Sequence, residues 1–271
     1  MIGVFDSGIG GLSILKALRK ELPSQDFIYI ADHAHSPYGE RDEAYVVGRS
    51  RALASYLVGQ NISAMVMACN TATAAAIALL RADYPELPII GVEPALKPAV
   101  ALSKTGHIAV LATRSTLFSA KFQSLLDSQA GLANFVVQAC DGLADAIERW
   151  IDHQDATEII AKCAQYTRAV GLFDHETGEI DTLVLGCTHY PFVRPFLQEL
   201  VGPTVQIVDN GDAVARQTRR LLAARLPDVD CIPTSVLGQV KLITTGQPHI
   251  LQAAAARWLG LHSPVTTLLI Q

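Results

Sequence analysis

Short apolar runs alternate with amphipathic stretches along the whole chain. Positions 2–5, 27–31, 65–68 and 87–92 read as buried strands, and helices are expected from Leu12, Leu15, Leu18 and Leu22, from Val46, Val47, Leu53 and Leu57, and over 71–81. Glu93 and Pro94 open a further helix, through Leu102, where the chain crosses into its second half. Strands then recur at 108–112, 134–140, 183–185, 205–208 and 240–244, with helices over 117–126, 157–170, 192–201, 213–226 and 250–259. Another helix starts at 143 with Ala146, Ile147 and Trp150 on one face; Glu148 lies off that face and is expected in solvent. Strand–helix alternation of this kind predicts an α/β fold with mainly parallel sheets. Because the order at the amino terminus repeats in mid-chain, two similar halves are expected, with the 240–259 segment returning to complete the first.

Candidate chemistry collects at the strand ends. In 182–191, TLVLGCTHYP, the run Leu183, Val184, Leu185 makes the strand, Gly186 allows a tight turn, and Cys187 falls at the carboxyl end, where open α/β sheets bind ligands. Thr188 and His189 precede Pro191, a residue tolerated in the first turn of a helix, so the thiol should sit beside backbone N–H groups that favour thiolate. The stretch 64–73, AMVMACNTAT, has the same order: an apolar run, Cys69, then Asn70 and Thr71 leading into an alanine-rich helix. Two such cysteines about half a chain apart suggest one thiol from each half facing a shared cleft, the arrangement that proton exchange on both faces of one carbon requires.

Blander assignments compete with this one. A single cysteine after an apolar run is ordinarily core filler, and only the matching polar sequels set these two apart. The sequence has no C-x-x-C pair, and Cys187 with His189 is an incomplete zinc set, so no metal is expected. Five cysteines at wide spacing do not form a disulfide framework. The turn Asp6-Ser7-Gly8-Ile9-Gly10-Gly11 has the glycines of a dinucleotide site, but Ser13 stands where a third glycine or alanine belongs, and Asp6 would repel a pyrophosphate. Positions 32–39, DHAHSPYG, form a turn-rich segment that either reaches over a ligand or is ordinary surface loop.

Composition narrows the classes further. The 271 residues are half hydrophobic, enough for two domains with sizeable cores. A net charge of −5 and a pI near 5.9 leave no basic footprint, so neither nucleic acid nor an anionic membrane surface is an expected partner. Neither a signal-like amino terminus nor an apolar run long enough to span a bilayer is present. A cytoplasmic, reducing location is expected, where thiols persist.

At these residues the sequence resembles the cofactor-independent aspartate/glutamate racemase family, and within it the glutamate racemases. The likeness runs through 6–11 (DSGIGG), Pro37-Tyr38-Gly39, Cys69-Asn70-Thr71-Ala72, 110–116 (VLATRST), 186–191 (GCTHYP) and Thr244-Thr245-Gly246. It implies two pseudo-symmetric α/β domains, the first formed by 1–96 together with 208–271 and carrying Cys69, the second formed by 97–207, inserted and carrying Cys187, with the active site in the cleft between them. It further implies that Cys69 takes the α-proton from D-glutamate and Cys187 from L-glutamate. Asp6 and His189 would tune or relay protons to the thiols, with Glu148 near the second. Ser7, Tyr38, Gly39, Asn70, Thr71 and Thr188 would hold the carboxylates and amine of the substrate, with Thr113 and Thr116 as weaker candidates. The segment before Pro37, His33-Ala34-His35-Ser36, departs from many relatives. Some relatives carry an amino-terminal extension linked to activation by a cell-wall precursor; this chain opens directly on its first strand, so that regulation is not carried over.

The implied product is D-glutamate for peptidoglycan, and the resemblance leaves a homodimer open. No cofactor is expected: Lys16, Lys20, Lys97, Lys121 and Lys162 all fall in apparent helices and none is placed to hold pyridoxal phosphate. Aspartate remains an alternative substrate, since one methylene is worth only about 1–3 kcal/mol of discrimination. Two other classes stay open. A cysteine hydrolase or amidotransferase would use Cys187 with His189 as base, although residues two apart rarely face each other at a strand end and Cys69 would be left idle. A two-lobed amino-acid binding protein would need no chemistry at all.

Overall fold

The computed structural model describes residues 1–153, 155–174, 179–225 and 237–270. The chain divides into two compact units, Met1–Val92 with Gly211–Gln271, and Glu93–Asn210. The first opens with β1 (Ile2–Asp6), α1 (Leu12–Glu21), β2 (Phe27–Ala31), α2 (Glu43–Val58), β3 (Ala64–Met67), α3 (Asn70–Asp83) and β4 (Ile89–Gly91). The second comprises α4 (Leu96–Leu102), β5 (His107–Ala112), α5 (Arg114–Phe118), α6 (Ala120–Asp127), β6 (Asn134–Ala139), α7 (Leu143–His153), α8 (Thr157–Val170), β7 (Thr182–Gly186), α9 (Arg194–Val201) and β8 (Gln206–Val208). The chain then returns to the first unit with α10 (Gly211–Ala223), β9 (Val240–Thr244), α11 (Pro248–Leu259) and β10 (Val265–Thr267).

Both sheets are parallel, in the orders β10-β9-β2-β1-β3-β4 and β6-β5-β7-β8. A parallel sheet is covered on both faces, which is why its strands read as unbroken apolar runs. β1, β2, β3 and β7 are buried at every position. β6, at an edge, exposes Asn134, Val136 and Val137. Helical spacing puts Leu12, Ile14, Leu15 and Leu18 of α1 in the core, and α10 packs against α1 with Val214, Ala215 and Leu222 buried. Each such aliphatic side chain contributes roughly 1.5–3 kcal/mol by leaving water.

The two sheets share one winding. From β1 the chain steps to β2 on one side and then crosses to β3 on the other; from β5 it steps to β6 and crosses to β7. Such a reversal opens a crevice at the carboxyl ends of the two strands concerned. In the first unit that point lies between β1 and β3, and in the second between β5 and β7.

Several boundaries differ from the sequence expectation. The strand expected over 87–92 shortens to β4, since Pro88 has no N–H for the ladder and only its carbonyl is used, accepting from Met65 N–H at 2.9 Å. The helix expected from Glu93 starts at Leu96. The single helix expected over 117–126 is two, α5 and α6, because Ser119 takes extended backbone and caps the second through Oγ. Segment 32–39 contains a single-turn helix at His33–His35 and leads into another at Tyr38–Glu40. β10 has no counterpart among the expected strands. The helix expected to reach Leu226 ends at Ala223; Leu226 and the fifth cysteine, Cys231, lie outside the described residues.

Candidate active site

In the first unit, the switch-point strands deliver Asp6 and Cys69 at their carboxyl ends. Cys69 is the N-cap of α3 in extended conformation, and its Sγ accepts from Ala72 N–H at 3.4 Å. A helix N-terminus supplies N–H groups and positive potential, both of which favour thiolate. A proton chain leads away from it: Cys69 Sγ donates to Ser7 Oγ at 3.8 Å, and Ser7 Oγ donates to Asp6 Oδ1 at 3.4 Å. Asp6 is fully buried and is held by backbone N–H groups, Ser7 N to Oδ1 at 2.8 Å and Gly11 N to Oδ2. That approach requires glycine at position 11, where a Cβ would stand 2.7 Å from the Asp6 Cβ and 3.0 Å from the Ala68 Cβ.

Asn70 and Thr71, the first residues of α3, are buried beside this thiol. Asn70 Nδ2 donates to the Val92 carbonyl at 3.4 Å, while Oδ1 has no hydrogen-bond partner among the described residues. A buried acceptor left open in this way suits a donor group such as an ammonium. Tyr38 belongs to the same apolar cluster as Cys69, and Gly39 is half-buried in the turn that follows.

In the second unit, Cys187 follows β7 directly and Thr113 follows β5. Gly186 pairs with Ala112, and a Cβ there would meet the Ala112 Cβ at 2.8 Å and the Leu111 carbonyl oxygen at 3.0 Å, so glycine lets β7 close on β5 just before the cysteine. Thr113 caps α5 and its Oγ1 lies 2.8 Å from Thr116 Oγ1. Thr188 is buried next to Cys187.

Cys187, His189 and Glu148 form a buried line. Sγ lies 3.7 Å from His189 Nδ1, and His189 Nε2 donates to Glu148 Oε1 at 2.7 Å. The carboxylate assigns the proton to Nε2 and leaves Nδ1 facing sulfur. Burial alone would lower the His189 pKa, but its hydrogen bonds to Cys187 and Glu148 and their negative charge prevail and raise it well above the ordinary imidazole value. The protonated ring is therefore favoured in this position.

Two sequence expectations are corrected here. Glu148 was expected in solvent, yet it is 8% exposed and turned onto His189. Cys187 and His189, expected not to face each other, do so because the chain after Gly186 turns at once and His189 has helical backbone (φ −76, ψ −31), so a two-residue offset no longer places side chains as in a strand. Sequence reasoning also passed over Asp32 and Arg49, which form a buried ion pair at 2.9 Å beside Tyr38. Asp32 falls in the turn-rich segment 32–39 and Arg49 in the helix of Val46, Val47, Leu53 and Leu57; nothing local signals a partner 17 residues away.

The other described thiols are unlike these two. Burial, then the charge of Cys187, pushes the Cys140 thiol far up, and burial pushes Cys163 up to about 12. Both remain protonated core residues.

Comparison with known proteins places this geometry in context. Residues 9–218 match the family described as Asp/Glu/Hydantoin racemase. The glutamate racemase of Ectopseudomonas mendocina is 42% identical over 97% of this chain and 96% of its own length. The Escherichia coli glutamate racemase, solved in complex with L-glutamate and the activator UDP-MurNAc-Ala, superposes with a TM-score of 0.85 at 28% identity, covering 100% of this chain and 98% of that one. The Bacillus anthracis glutamate racemase RacE1 gives a TM-score of 0.82 at 28% identity, covering 100% and 97%.

Proposed function

The chain belongs to the Asp/Glu/hydantoin racemase family, and from that premise we propose that it interconverts L- and D-glutamate by proton transfer at the α-carbon, with D-glutamate supplied for peptidoglycan. The observation that carries this reading is the pair of cysteines, each at the carboxyl end of a switch-point strand, each with its own proton-conducting partners. Glutamate racemases alike along nearly the full length, one of them solved in complex with L-glutamate, support glutamate as the substrate.

In the proposed cycle one cysteine enters as thiolate and the other as thiol, on opposite faces of the α-carbon. Cys187 thiolate removes the α-proton of L-glutamate: the Cα–H bond breaks, an S–H bond forms, and the electron pair stays on carbon. Cys69 thiol then gives its proton to the other face, leaving a thiolate that serves D-glutamate in return. His189 with Glu148, and Ser7 with Asp6, carry protons to and from the thiols between turnovers. Asn70 Oδ1 receives the ammonium group; Ser7, Thr71, Thr188 and the Tyr38-Gly39 turn hold the carboxylates. An α-hydrogen is far less acidic than a thiol of pKa near 8.5, and each unit of mismatch costs about 1.36 kcal/mol, so donors around the developing carbanion must supply much of the stabilisation.

The Cys187–His189–Glu148 line also has the geometry of a nucleophile with its base and orienting carboxylate, which keeps an acyl-transfer reading in contention. One experiment separates the two. Reduced enzyme without added cofactor is incubated in D₂O with L- or D-glutamate, and circular dichroism follows optical activity. Decay to zero from both enantiomers with α-deuteration, abolished by Cys69→Ala or Cys187→Ala, is the expected result. Constant rotation with no α-exchange, or a trapped thioester at Cys187, would overturn the proposal.

A further inference from the structure

The carboxyl end of β2 carries a buried charge pair that the proton chemistry leaves unused. Asp32 follows β2 with its N–H bonded to the Asp6 carbonyl at 2.9 Å, which fixes it beside the end of β1. Its carboxylate, fully buried, receives Arg49 Nε on Oδ2 and Arg49 Nη2 on Oδ1, both at 2.9 Å, and the Tyr38 hydroxyl on Oδ2 at 2.5 Å. The third guanidinium nitrogen, Nη1, donates to the Ile270 carbonyl at 3.2 Å. Arg49 thus ties α2 to the β2 end and to the segment after β10.

Geometry of this quality is expensive to desolvate, and a planar guanidinium is needed to meet both carboxylate oxygens at once. Its effect falls on Tyr38. That hydroxyl has a single proton, and Asp32 holds it. Burial, followed by the charge of Asp32, pushes the phenol pKa far up, so the group remains a hydroxyl donating to Asp32. The ring it anchors lies in the apolar cluster that contains Cys69.

We propose that Arg49 is a positioning residue for the Cys69 side of the reaction: through Asp32 it holds the Tyr38 hydroxyl, and through Tyr38 it holds the Tyr38-Gly39 turn in the form that receives a substrate carboxylate. The inference rests on the reading of that turn as part of the glutamate site. It changes the role expected for Tyr38: the hydroxyl serves Asp32, so that Tyr38 acts on the substrate through the turn it anchors.

The test is a double-mutant cycle on Arg49→Lys and Tyr38→Phe, with steady-state kinetics on both enantiomers. Arg49→Lys keeps the charge and loses the fork; it is expected to raise KM for glutamate about tenfold while kcat changes much less. Arg49→Gln, which loses the charge as well, should be worse, so that lysine is a partial rescue. The double variant should be no worse than the poorer single, because both substitutions cut the same relay. Amide hydrogen exchange supplies a readout independent of turnover: peptides covering 33–42 should exchange faster in Arg49→Lys, with those covering 187–193 unchanged. Additive losses, a fall in kcat with KM intact, or unaltered exchange over 33–42 in a folded variant would each overturn the proposal. Folded wild type that leaves both glutamate enantiomers untouched would sink the racemase reading, while the exchange result would still decide whether Arg49 holds the turn.

Discussion

Glu148→Gln is the sharpest probe of the Cys187 half. The substitution keeps the shape and leaves an oxygen able to accept from His189 Nε2, now 2.7 Å from the carboxylate, but it removes the charge. Hydrogen bonds involving a charged group are worth about 1.5–3 kcal/mol and neutral ones about 0.5–1.5, so the imidazolium should lose about 1–1.5 kcal/mol, or one pKa unit. In the wild type the raised His189 pKa contributes stability that is fully present below about pH 6.5, the unfolded value, and is lost as pH rises through the higher folded value. Loss of the carboxylate moves that upper limit down. NMR titration of the His189 ring should therefore show an earlier midpoint in the variant. The thermal midpoints of the two proteins should differ most near pH 6 and converge at high pH, and kcat/KM should fall about tenfold. A ring titration that does not move, with kcat/KM within about twofold of wild type, would refute the claim that Glu148 holds the imidazolium.

Two further outcomes follow from the packing. Gly186→Ala places a methyl 2.8 Å from the Ala112 Cβ and 3.0 Å from a main-chain oxygen, so thermal or urea unfolding should reveal a loss of about 1–3 kcal/mol, accompanied by reduced turnover as Cys187 is displaced. Under native alkylation with iodoacetamide, peptide mass spectrometry should find Cys140 and Cys163 essentially unmodified while Cys69 and Cys187 react; modification of Cys140 as fast as Cys187 would contradict the contrast drawn between them.

The elements legible in the sequence are those whose environment is uniform. β1, β2, β3 and β7 are covered on both faces, and nothing but apolar residues would satisfy them, so their runs announce themselves. β10 has two of its three residues exposed and no such run to display. Ser119 is hidden because Phe118, Phe122 and Leu125 keep a helical apolar spacing across the break; its capping bond to Phe122 N–H, at 3.1 Å, is a matter of backbone geometry. Both strand-end cysteines were legible from the run that ends in each. The side chains linked to them by hydrogen bonds were legible only where they adjoin the motif. Asp6 and Ser7 sit in the glycine-rich turn, but Glu148 was misread because an apolar-face argument counts only what oil attracts, whereas a carboxylate can be drawn inward by an imidazole 41 residues away. Family resemblance named Glu148 where the periodicity did not, and neither pointed to Arg49.

In the proposed two-cysteine cycle, the matched winding of the two sheets, set against the unlike partners of their cysteines, has a kinetic consequence. Enantiomers have equal free energy in water, so thermodynamics fixes the two opposing kcat/KM values to be the same however different Ser7 with Asp6 is from His189 with Glu148. The asymmetry can surface only in how that common ratio is divided, as a higher turnover with looser saturation in one direction and a lower turnover with tighter saturation in the other. A single architectural plan, furnished twice with different chemistry, lets the velocity towards each mirror image be set separately when substrate is abundant, while leaving the balance point where symmetry puts it.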